Sequence, residues 1–369
     1  MRILIAGGGT GGHIYPALAV VRSLRARRED VDLRWVGGRR GLEFGLVPDE
    51  GLSLDRLWLR SLRSVDLSLP TLLDPIRLGA SFPQAMALLG RLRPAAIFTT
   101  GGYVALPVVS AAAALRVPVL LWEGNVVPGR SARVIARLVR AVAVSFASTC
   151  GALPGPCYVT GTPTRELGSA DRGEARQRLG IPGDARLMLI FGGSQAVRRF
   201  DSAVEAALPG LVEKAYVLHL TGHDAYGGAL ARKERLPATV RDRYRPHAFL
   251  RDEMSDALAA ADMVVGRAGS STIAEVTAVG VPMIVVPYPH AAGHQRANAR
   301  LLVEAGGGEL VDDEDFDGQA LAAAAVLLDD EPQLSAMGAA SRSLGRPGAA
   351  GAVAELVLAL AERRPLPDP

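Results

Sequence analysis

The chain is poor in cysteine, in net charge and in long apolar runs, and each shortage excludes a class of protein. Its two cysteines, Cys150 and Cys157, form no CxxC pair and have no zinc-site spacing, which fits a reducing cytoplasm. A formal net charge of +3 is too small to indicate nucleic acid. No apolar run approaches the ~20 residues of a membrane span. Only 21% of the residues are charged, which argues against disorder.

What the chain does have is a rhythm of short apolar runs alternating with helix-like segments over 369 residues, a length typical of two domains. The strand candidates end in glycine or polar residues: 2–6, 33–36, 95–100, 118–122 and 141–146, then 187–191, 216–220, 263–265 and 283–286. This βαβ pattern predicts an α/β protein with two parallel sheets, whose ligands bind beyond the carboxyl ends of the strands. The join is expected near residues 161–165, and residues 349–362 are predicted to form a final helix.

A glycine turn, residues 7–13 (GGGTGGH), follows the first predicted strand and precedes an apolar-periodic run. Backbone N–H groups at such a helix N-terminus suit a phosphate, and His13 can take a proton near neutral pH. The turn also matches the dinucleotide fingerprint GxGxxG. An NAD site requires an acidic residue at the end of the second strand to bind the ribose. Here that strand ends in Gly37 and Gly38, so NAD is disfavoured. A glycine turn with no ligand is the third interpretation.

A second turn, residues 269–275 (GSSTIAE), has the pattern of a strand-to-helix junction whose amides could meet a phosphate. Glu275, one turn into the helix, could accept two hydrogen bonds from a ribose diol. An ordinary capping box would give the same sequence pattern. Similar residues at the strand ends 193–195 and 294–295 nevertheless favour a ligand-binding site. The D-x-D patterns at 313–315 and 315–317 precede a strong helix former, and we interpret them as capping rather than metal binding.

Together these residues resemble the MurG family of bacterial UDP-N-acetylglucosamine transferases. The likeness covers nearly the whole chain and rests on motifs that occur in order: 8–13 (GGTGGH), 101–104 (GGYV), 123–129 (EGNVVPG), 161–165 (GTPTR), 192–195 (GGSQ), 267–269 (RAG) with Glu275, and His294 and Gln295 with Asn298. The resemblance implies a GT-B fold, in which two Rossmann-like parallel-sheet domains face each other across a cleft. Residues 1–162 would form the acceptor and membrane domain, with helix 346–362 packing back on it, and 163–345 the UDP-sugar donor domain.

That likeness implies an inverting glycosyltransferase of peptidoglycan synthesis. It would move N-acetylglucosamine from UDP-N-acetylglucosamine to the C4 hydroxyl of the MurNAc of lipid I, giving lipid II, with no cofactor and no metal. His13 would be the catalytic base. The residues implied for the donor are Thr10, Gly11, Gly12, Asn125, Arg165, Ser194, Leu250, Ser270, Ser271, Thr272, Ile273, Ala274, Glu275 and Gln295. Leu250 or Arg251 would offer its backbone to uracil.

The lipid acceptor implies a peripheral enzyme on the cytoplasmic face of the bacterial cell membrane. Apolar residues and arginines interleave over 57–93, and spacing puts Arg130, Arg133, Arg137 and Arg140 on one helical face. This fits an anionic membrane surface, although a core with a solvated arginine face fits equally. Two other functions stay open. One is another GT-B UDP-sugar enzyme, such as a glycolipid glycosyltransferase or a UDP-sugar epimerase; the other is a noncatalytic sugar-nucleotide-binding protein.

Overall fold

The structure is a computed structural model that describes residues 1–9, 11–39, 41–59, 74–164, 171–192, 197–250, 253–291 and 293–369. It divides into two compact units. Unit 1 comprises Met1–Arg165 and Gly348–Pro369, and unit 2 comprises Glu166–Pro347. Each unit contains one sheet in which every strand pair is parallel, so the predicted α/β class is confirmed.

Unit 1 has a seven-stranded sheet in the order β3-β2-β1-β4-β5-β6-β7. Its strands are β1 (Arg2–Ala6), β2 (Asp32–Gly37), β3 (Ser53–Arg56), β4 (Ala96–Thr99), β5 (Val119–Glu123), β6 (Ala141–Val144) and β7 (Cys157–Val159). The helices between them are α1 (Gly11–Arg27), α2 (Glu43–Asp49), α3 (Asp74–Leu92), α4 (Ala105–Ala114), α5 (Arg130–Ile135) and α6 (Ala147–Cys150). The chain reverses its direction across the sheet between β1 and β4, which creates a switch point where loops can open around a ligand.

Unit 2 has a six-stranded sheet in the order β10-β9-β8-β11-β12-β13. Its strands are β8 (Leu187–Phe191), β9 (Tyr216–Leu220), β10 (Tyr244–His247), β11 (Met263–Gly266), β12 (Met283–Val285) and β13 (Gly308–Leu310). Its helices are α7 (Arg172–Leu179), α8 (Val197–Lys214), α9 (Gly222–Arg235), α10 (Glu253–Ala260), α11 (Ser270–Val279), α12 (His294–Glu304), α13 (Gly318–Ala324) and α14 (Glu331–Leu344), with 3-10 turns at Arg241–Arg243 and Ala325–Asp329. The switch point of this sheet lies between β8 and β11.

Successive side chains of a strand point to opposite faces, and unit 1 buries both faces. Ile3 and Ile5 belong to one apolar core, whereas Leu4 and Ala6 belong to another. The final helix, α15 (Ala349–Ala361), contributes to the first core and packs against α1, β4 and β5. The chain therefore ends in the unit in which it began.

One segment, Glu331–Ala361, is long and apolar enough to cross a membrane by length and composition alone. Half of its most apolar window is buried within the protein. The segment is two helices, α14 and α15, separated by residues 345–348, and α15 packs in the core of unit 1. We therefore interpret it as a pair of core helices, since such helices are apolar for the same reason that membrane spans are.

Cys150 and Cys157 form a disulfide, with an Sγ–Sγ distance of 2.04 Å. The sequence pattern does not predict this pairing, because the two residues lie outside any CxxC motif. Cys150 ends α6 and Cys157 begins β7, so the bond closes the short turn that joins them. Disulfides are uncommon in a reducing cytoplasm, and the pairing does not follow from the cytoplasmic expectation.

Candidate active site

The first glycine turn lies at the switch point of unit 1. It follows β1, and residues 100–104 follow β4, the strand that pairs with β1 through Ala6 and Thr99. Gly11 and Gly12 are the first two residues of α1. Thr10 lies outside the described residues. The loops after two adjacent parallel strands thus meet where ligands bind in sheets of this kind.

His13 projects from the first turn of α1 and is tied to the loop after β4. Its Nδ1 lies 2.7 Å from the carbonyl oxygen of Thr100, and the Thr100 hydroxyl donates to the His13 carbonyl at 2.9 Å. Because a carbonyl oxygen only accepts, we assign the ring proton to Nδ1. In the neutral imidazole Nε2 then carries the lone pair, which is the form that a general base needs.

The amides of this turn are committed in part to the protein itself. Gly7 N–H donates to the Val36 carbonyl at 3.3 Å, and Gly9 N–H donates to the carboxylate of Glu43 at 3.0 Å. Glu43 is fully buried, so an acid does lie beyond the second strand, although spacing alone did not place it there. Its oxygens accept protein hydrogen bonds, which leaves them poorly suited to a ribose diol. The phosphate interpretation of the turn therefore rests on the amides nearer to α1.

Asn125 lies in the loop after β5, and this loop is built around Glu123. The Glu123 carboxylate accepts from both the backbone N–H and the side-chain amide of Asn125, each at 2.9 Å, and from Gly129 N–H at 3.2 Å. On the other side, the Thr149 hydroxyl donates to the Asn125 carbonyl at 3.1 Å. Glu123 and Thr149 thus hold Asn125, which the sequence had singled out, in a defined orientation.

In unit 2, residues 270–274 form the first turn and a half of α11, at the switch point between β8 and β11. The N-cap residue is Gly269, which has no side chain with which to cap the helix, so the capping box considered from the sequence is not formed. The first N–H groups of a helix have no partner within it, and the helix dipole makes them attractive to an anion. Ser271 Oγ is buried without a hydrogen-bond partner among the described residues. Glu275 is half-buried one turn further on.

Two residues that were not predicted as site residues fix the segment that leads into this turn. Arg267 is 5% exposed and donates to the carbonyls of Val286 (3.1 Å) and Pro287 (3.3 Å), and its guanidinium pairs with Asp313 at 2.6 Å. Burial lowers the pKa of Arg267, and the hydrogen bond with Asp313 opposes that shift. Asn298, fully buried on α12, donates to the Ala268 carbonyl at 3.1 Å. Both residues belong to motifs that the sequence shows, but the sequence does not indicate that they form hydrogen bonds to neighbouring loops.

Gln295 is the second residue of α12, the helix that follows β12, and Leu250 lies in the loop after β10. The side-chain carbonyl of Gln295 accepts from Tyr288 N–H at 2.9 Å, which leaves its amide nitrogen as the group able to donate to a sugar. Leu250 is 6% exposed, while the preceding Phe249 is 53% exposed. Burial lowers the pKa of nearby His247, and Glu253 opposes that shift. Arg165, Ser194 and Arg251 lie outside the described residues.

The acidic residues before α13 are engaged by the protein. Asp317 accepts from the backbone N–H groups of Gln319 and Ala320, both at 2.9 Å, so the capping interpretation of this residue is confirmed. Asp312 pairs with Arg296, and Asp313 pairs with Arg267 and Arg199. In the described part of the chain, no group of three or more histidine, cysteine, aspartate or glutamate residues could hold a metal ion.

Comparisons of the sequence link the chain to one family over nearly its whole length. The Glycosyltransferase family 28 N-terminal domain matches residues 3–144, and the Glycosyltransferase family 28 C-terminal domain matches residues 187–353. The chain is 39% identical to a UDP-N-acetylglucosamine--N-acetylmuramyl-(pentapeptide) pyrophosphoryl-undecaprenol N-acetylglucosamine transferase of Desulforudis audaxviator, over 98% of this chain and 99% of that one. The protein of the same name from Moorella thermoacetica is 38% identical, over 98% of this chain and all of that one.

Solved structures give a consistent result. MurG of Acinetobacter baumannii superposes with a TM-score of 0.77 at 26% identity, covering 97% of this chain and 99% of that one. A putative UDP-N-acetylglucosamine 2-epimerase from Listeria monocytogenes superposes with a TM-score of 0.69, but at 14% identity this shows a shared fold alone. The predicted GT-B fold is confirmed by these matches.

Proposed function

We propose that this chain, which belongs to the MurG family within glycosyltransferase family 28, transfers N-acetylglucosamine from UDP-N-acetylglucosamine to the C4 hydroxyl of the MurNAc of lipid I. The observation that carries the proposal is the hydrogen bond of His13 Nδ1 to a backbone carbonyl at the switch point of unit 1. A backbone carbonyl holds its Nδ1 proton, so Nε2 is the basic atom. An inverting transfer needs such a base to take the proton of the acceptor hydroxyl as that oxygen attacks C1 of the sugar.

Unit 2 would hold the donor. The amides at the start of α11 and the buried hydroxyl of Ser271 are suited to the diphosphate, whose negative charge grows as UDP leaves. Glu275 would accept from the ribose hydroxyls, Gln295 would donate to the sugar, and the backbone of Leu250 would meet uracil. Ser194 on this unit, together with Thr10, Gly11, Gly12, Asn125 and Arg165, would complete the donor contacts.

A transfer assay tests the proposal directly. The protein is incubated with a lipid I analogue and one of several UDP-sugars, and the glycolipid product is identified by mass. We expect transfer of N-acetylglucosamine and no comparable product from UDP-glucose. Incubation with UDP-N-acetylglucosamine alone detects an epimerase, because that reaction needs no acceptor. Tight donor binding without any transfer would instead indicate a noncatalytic binding protein and would overturn the proposal.

The role of Glu275 can be isolated by combining a protein change with a ligand change. We expect Glu275→Gln to weaken UDP binding about tenfold or more, since a hydrogen bond to a charged group contributes about 1.5–3 kcal/mol. UDP that lacks the 2′-hydroxyl should bind more weakly to the wild type, and Glu275→Gln should weaken its binding less than it weakens that of UDP, because one of the two hydroxyl partners is already missing. Isothermal titration calorimetry gives the four affinities. Additive losses would show that Glu275 does not contact this hydroxyl.

We also propose that unit 1 docks peripherally on the anionic cytoplasmic face of the membrane. Helix α3 packs against α4, and α4 packs against α5. Ile76 on α3 is 60% exposed, and Val134 and Leu138 in and just after α5 are 48% and 41% exposed. Such side chains, with arginines beside them, suit an interface between headgroups and acyl chains.

The arginines differ from the sequence expectation in one respect. Helix α5 ends at Ile135, so Arg130 and Arg133 lie in the helix, whereas Arg137 and Arg140 lie in the turns that follow. The prediction of one continuous helical face is wrong, because tighter turns replace the helix before β6 begins. All four side chains are nonetheless exposed. Within 57–93, Arg77 and Arg91 pair with acids and Arg93 is exposed, while Arg60 and Arg63 lie outside the described residues.

Vesicle sedimentation tests the docking proposal. Binding should rise with the fraction of phosphatidylglycerol in phosphatidylcholine vesicles, and the pair Arg133→Glu with Arg137→Glu should weaken it at least about tenfold, because each basic residue near the surface contributes about 1 kcal/mol. The matched control is Arg235→Glu with Arg346→Glu, which makes the same charge change on exposed residues of unit 2. Vesicle binding that does not depend on the phosphatidylglycerol fraction, or an equal loss of binding in the control variant, would contradict the proposal that this surface docks on the membrane.

A further inference from the structure

Glu43 is a fully buried carboxylate at the start of α2, and it contacts the first glycine turn. From the described residues it accepts three hydrogen bonds. Gly9 N–H donates to Oε2 at 3.0 Å, Gly38 N–H donates to Oε1 at 3.2 Å, and the Tyr103 hydroxyl donates to Oε1 at 3.1 Å. These three donors come from the loops after β1, β2 and β4, so one side chain ties together three neighbouring strand ends.

The same loops are joined a second time at His13. Thr100 holds both the imidazole Nδ1 and the backbone carbonyl of His13. Gly102, between Thr100 and Tyr103, lies beside the ring, since a Cβ placed on it would be 3.8 Å from His13 Nε2. The loop of residues 100–103 is therefore hydrogen-bonded to Glu43 through Tyr103 at one end and to His13 through Thr100 at the other.

The glycines of these loops make room for this arrangement. A Cβ on Gly8 would lie 2.5 Å from Glu43 Oε1, and one on Gly38 or Gly41 would collide with Tyr103 or with Glu43 respectively. The absence of side chains at these positions therefore serves the buried carboxylate and its phenol partner. It does so in addition to any approach of a substrate to the loop.

We propose that Glu43 is a positioning residue, whose carboxylate sets the first glycine turn and the Thr100–Tyr103 loop at the separation that His13 needs to act as base. The proposal rests on the base role assigned to His13 above. A buried carboxylate can take donors on both oxygens, whereas an amide cannot. An error of about 1 Å in the placement of a catalytic group costs on the order of 10²-fold in rate, so a residue that sets this distance has a measurable role.

The test is Glu43→Gln, which keeps the shape and removes one acceptor oxygen. Whichever way the amide is turned, its NH₂ group faces a backbone N–H, of Gly9 or of Gly38. We expect kcat to fall about 10²-fold while the affinity for UDP changes less than about twofold, because the contacts proposed above for uracil, ribose and the start of α11 with the diphosphate lie on unit 2. The control is Glu50→Gln, the same substitution one residue beyond the end of α2, where the carboxylate meets Arg22 on the surface. It should leave kcat unchanged.

Hydrogen exchange gives a readout that does not depend on the role of His13. In Glu43→Gln the amides of residues 7–13 and 37–43 should exchange at least about tenfold faster, with exchange in unit 2 unchanged, because one buried donor loses its partner. Unchanged exchange in these loops would overturn the inference even if the wild type is an active transferase. Faster exchange with an inactive wild type would instead count against the proposed function alone.

Tyr103→Phe carries the test if Glu43→Gln does not fold. It removes one of the three hydrogen bonds and keeps the ring, so both the loss of kcat and the gain in exchange should be smaller but in the same direction. Wild-type rates and wild-type exchange in Tyr103→Phe would overturn the inference.

Discussion

Replacing His13 with alanine is expected to lower kcat by about 10²–10⁴-fold, the usual contribution of a general base. UDP affinity should stay near that of the wild type, since the donor contacts proposed for unit 2 are untouched. The physical reason is the tautomer, because Thr100 holds the proton on Nδ1 and the basic Nε2 is removed with the ring. Steady-state transfer kinetics at saturating donor and acceptor, with calorimetric UDP binding, measure both quantities.

His13→Asn separates chemistry from architecture. Its side-chain amide can still donate to the Thr100 carbonyl, but it cannot take a proton, so its rate should fall as far as that of the alanine variant. His223→Ala, a change at an exposed histidine of α9, should leave kcat unchanged. If His13→Asn kept wild-type turnover, or if His13→Ala lost less than about tenfold, the base would have to be sought elsewhere.

The largest effect on stability is expected from Asp262→Ala in unit 2. The Asp262 side chain is 5% exposed and accepts from Arg176 (2.7 Å), Arg172 (2.5 Å), Arg186 (3.3 Å) and the backbone N–H of Leu187 (2.7 Å). Arg176 is equally buried, and burial lowers its pKa while Asp262 opposes that shift. Removal of one partner of a buried ion pair leaves the other as an uncompensated buried charge. This typically lowers the free energy of unfolding by about 3–5 kcal/mol.

The chain offers an internal reference for this measurement. All three tryptophans, Trp35, Trp58 and Trp122, lie in unit 1, so tryptophan fluorescence in urea should be unaffected by the variant. Hydrogen exchange of β8 and β11 reports on unit 2 and should accelerate strongly. Asp256→Ala is the matched control, because Asp256 pairs with Arg178 between α10 and the same helix α7, but at the surface, where ion pairs contribute little. Equal losses in the two variants would show that burial does not strengthen the Asp262 cluster.

The strands show where sequence patterns succeed. Every strand in the interior of either sheet was predicted to within about two residues, the usual precision of element boundaries. The four strands that were not predicted, β3, β7, β10 and β13, are the four sheet edges. A central strand of a parallel sheet is covered on both faces and reads as an apolar run. An edge strand is short and tolerates polar residues and proline, as in Tyr244–His247 (YRPH), so its letters resemble a loop.

The site divides in a similar way. Its motifs lie at the strand ends, where the backbone must turn tightly, so the order of glycine, histidine and serine along the chain indicates His13 and the α11 turn as candidates. The role of the residues that hold these motifs was not predicted, although three of them stand in motifs named from the sequence. Glu43, Glu123, Arg267 and Asn298 act through hydrogen bonds to loops that are distant in sequence or hidden within a motif, and a single sequence carries no signal for such partners.

The sequence by itself determined the α/β class, the two sheets and the family, because these follow from periodicity and from short motifs that local backbone geometry enforces. Only the tertiary structure decided which nitrogen of His13 carries the proton and which group accepts from the Gly9 N–H. It alone also decided the disulfide between Cys150 and Cys157 and the edge strands of both sheets. Each of these depends on which group happens to lie within about 3 Å of another once the chain is folded, and hydrogen bonds and covalent bonds are selected at that range.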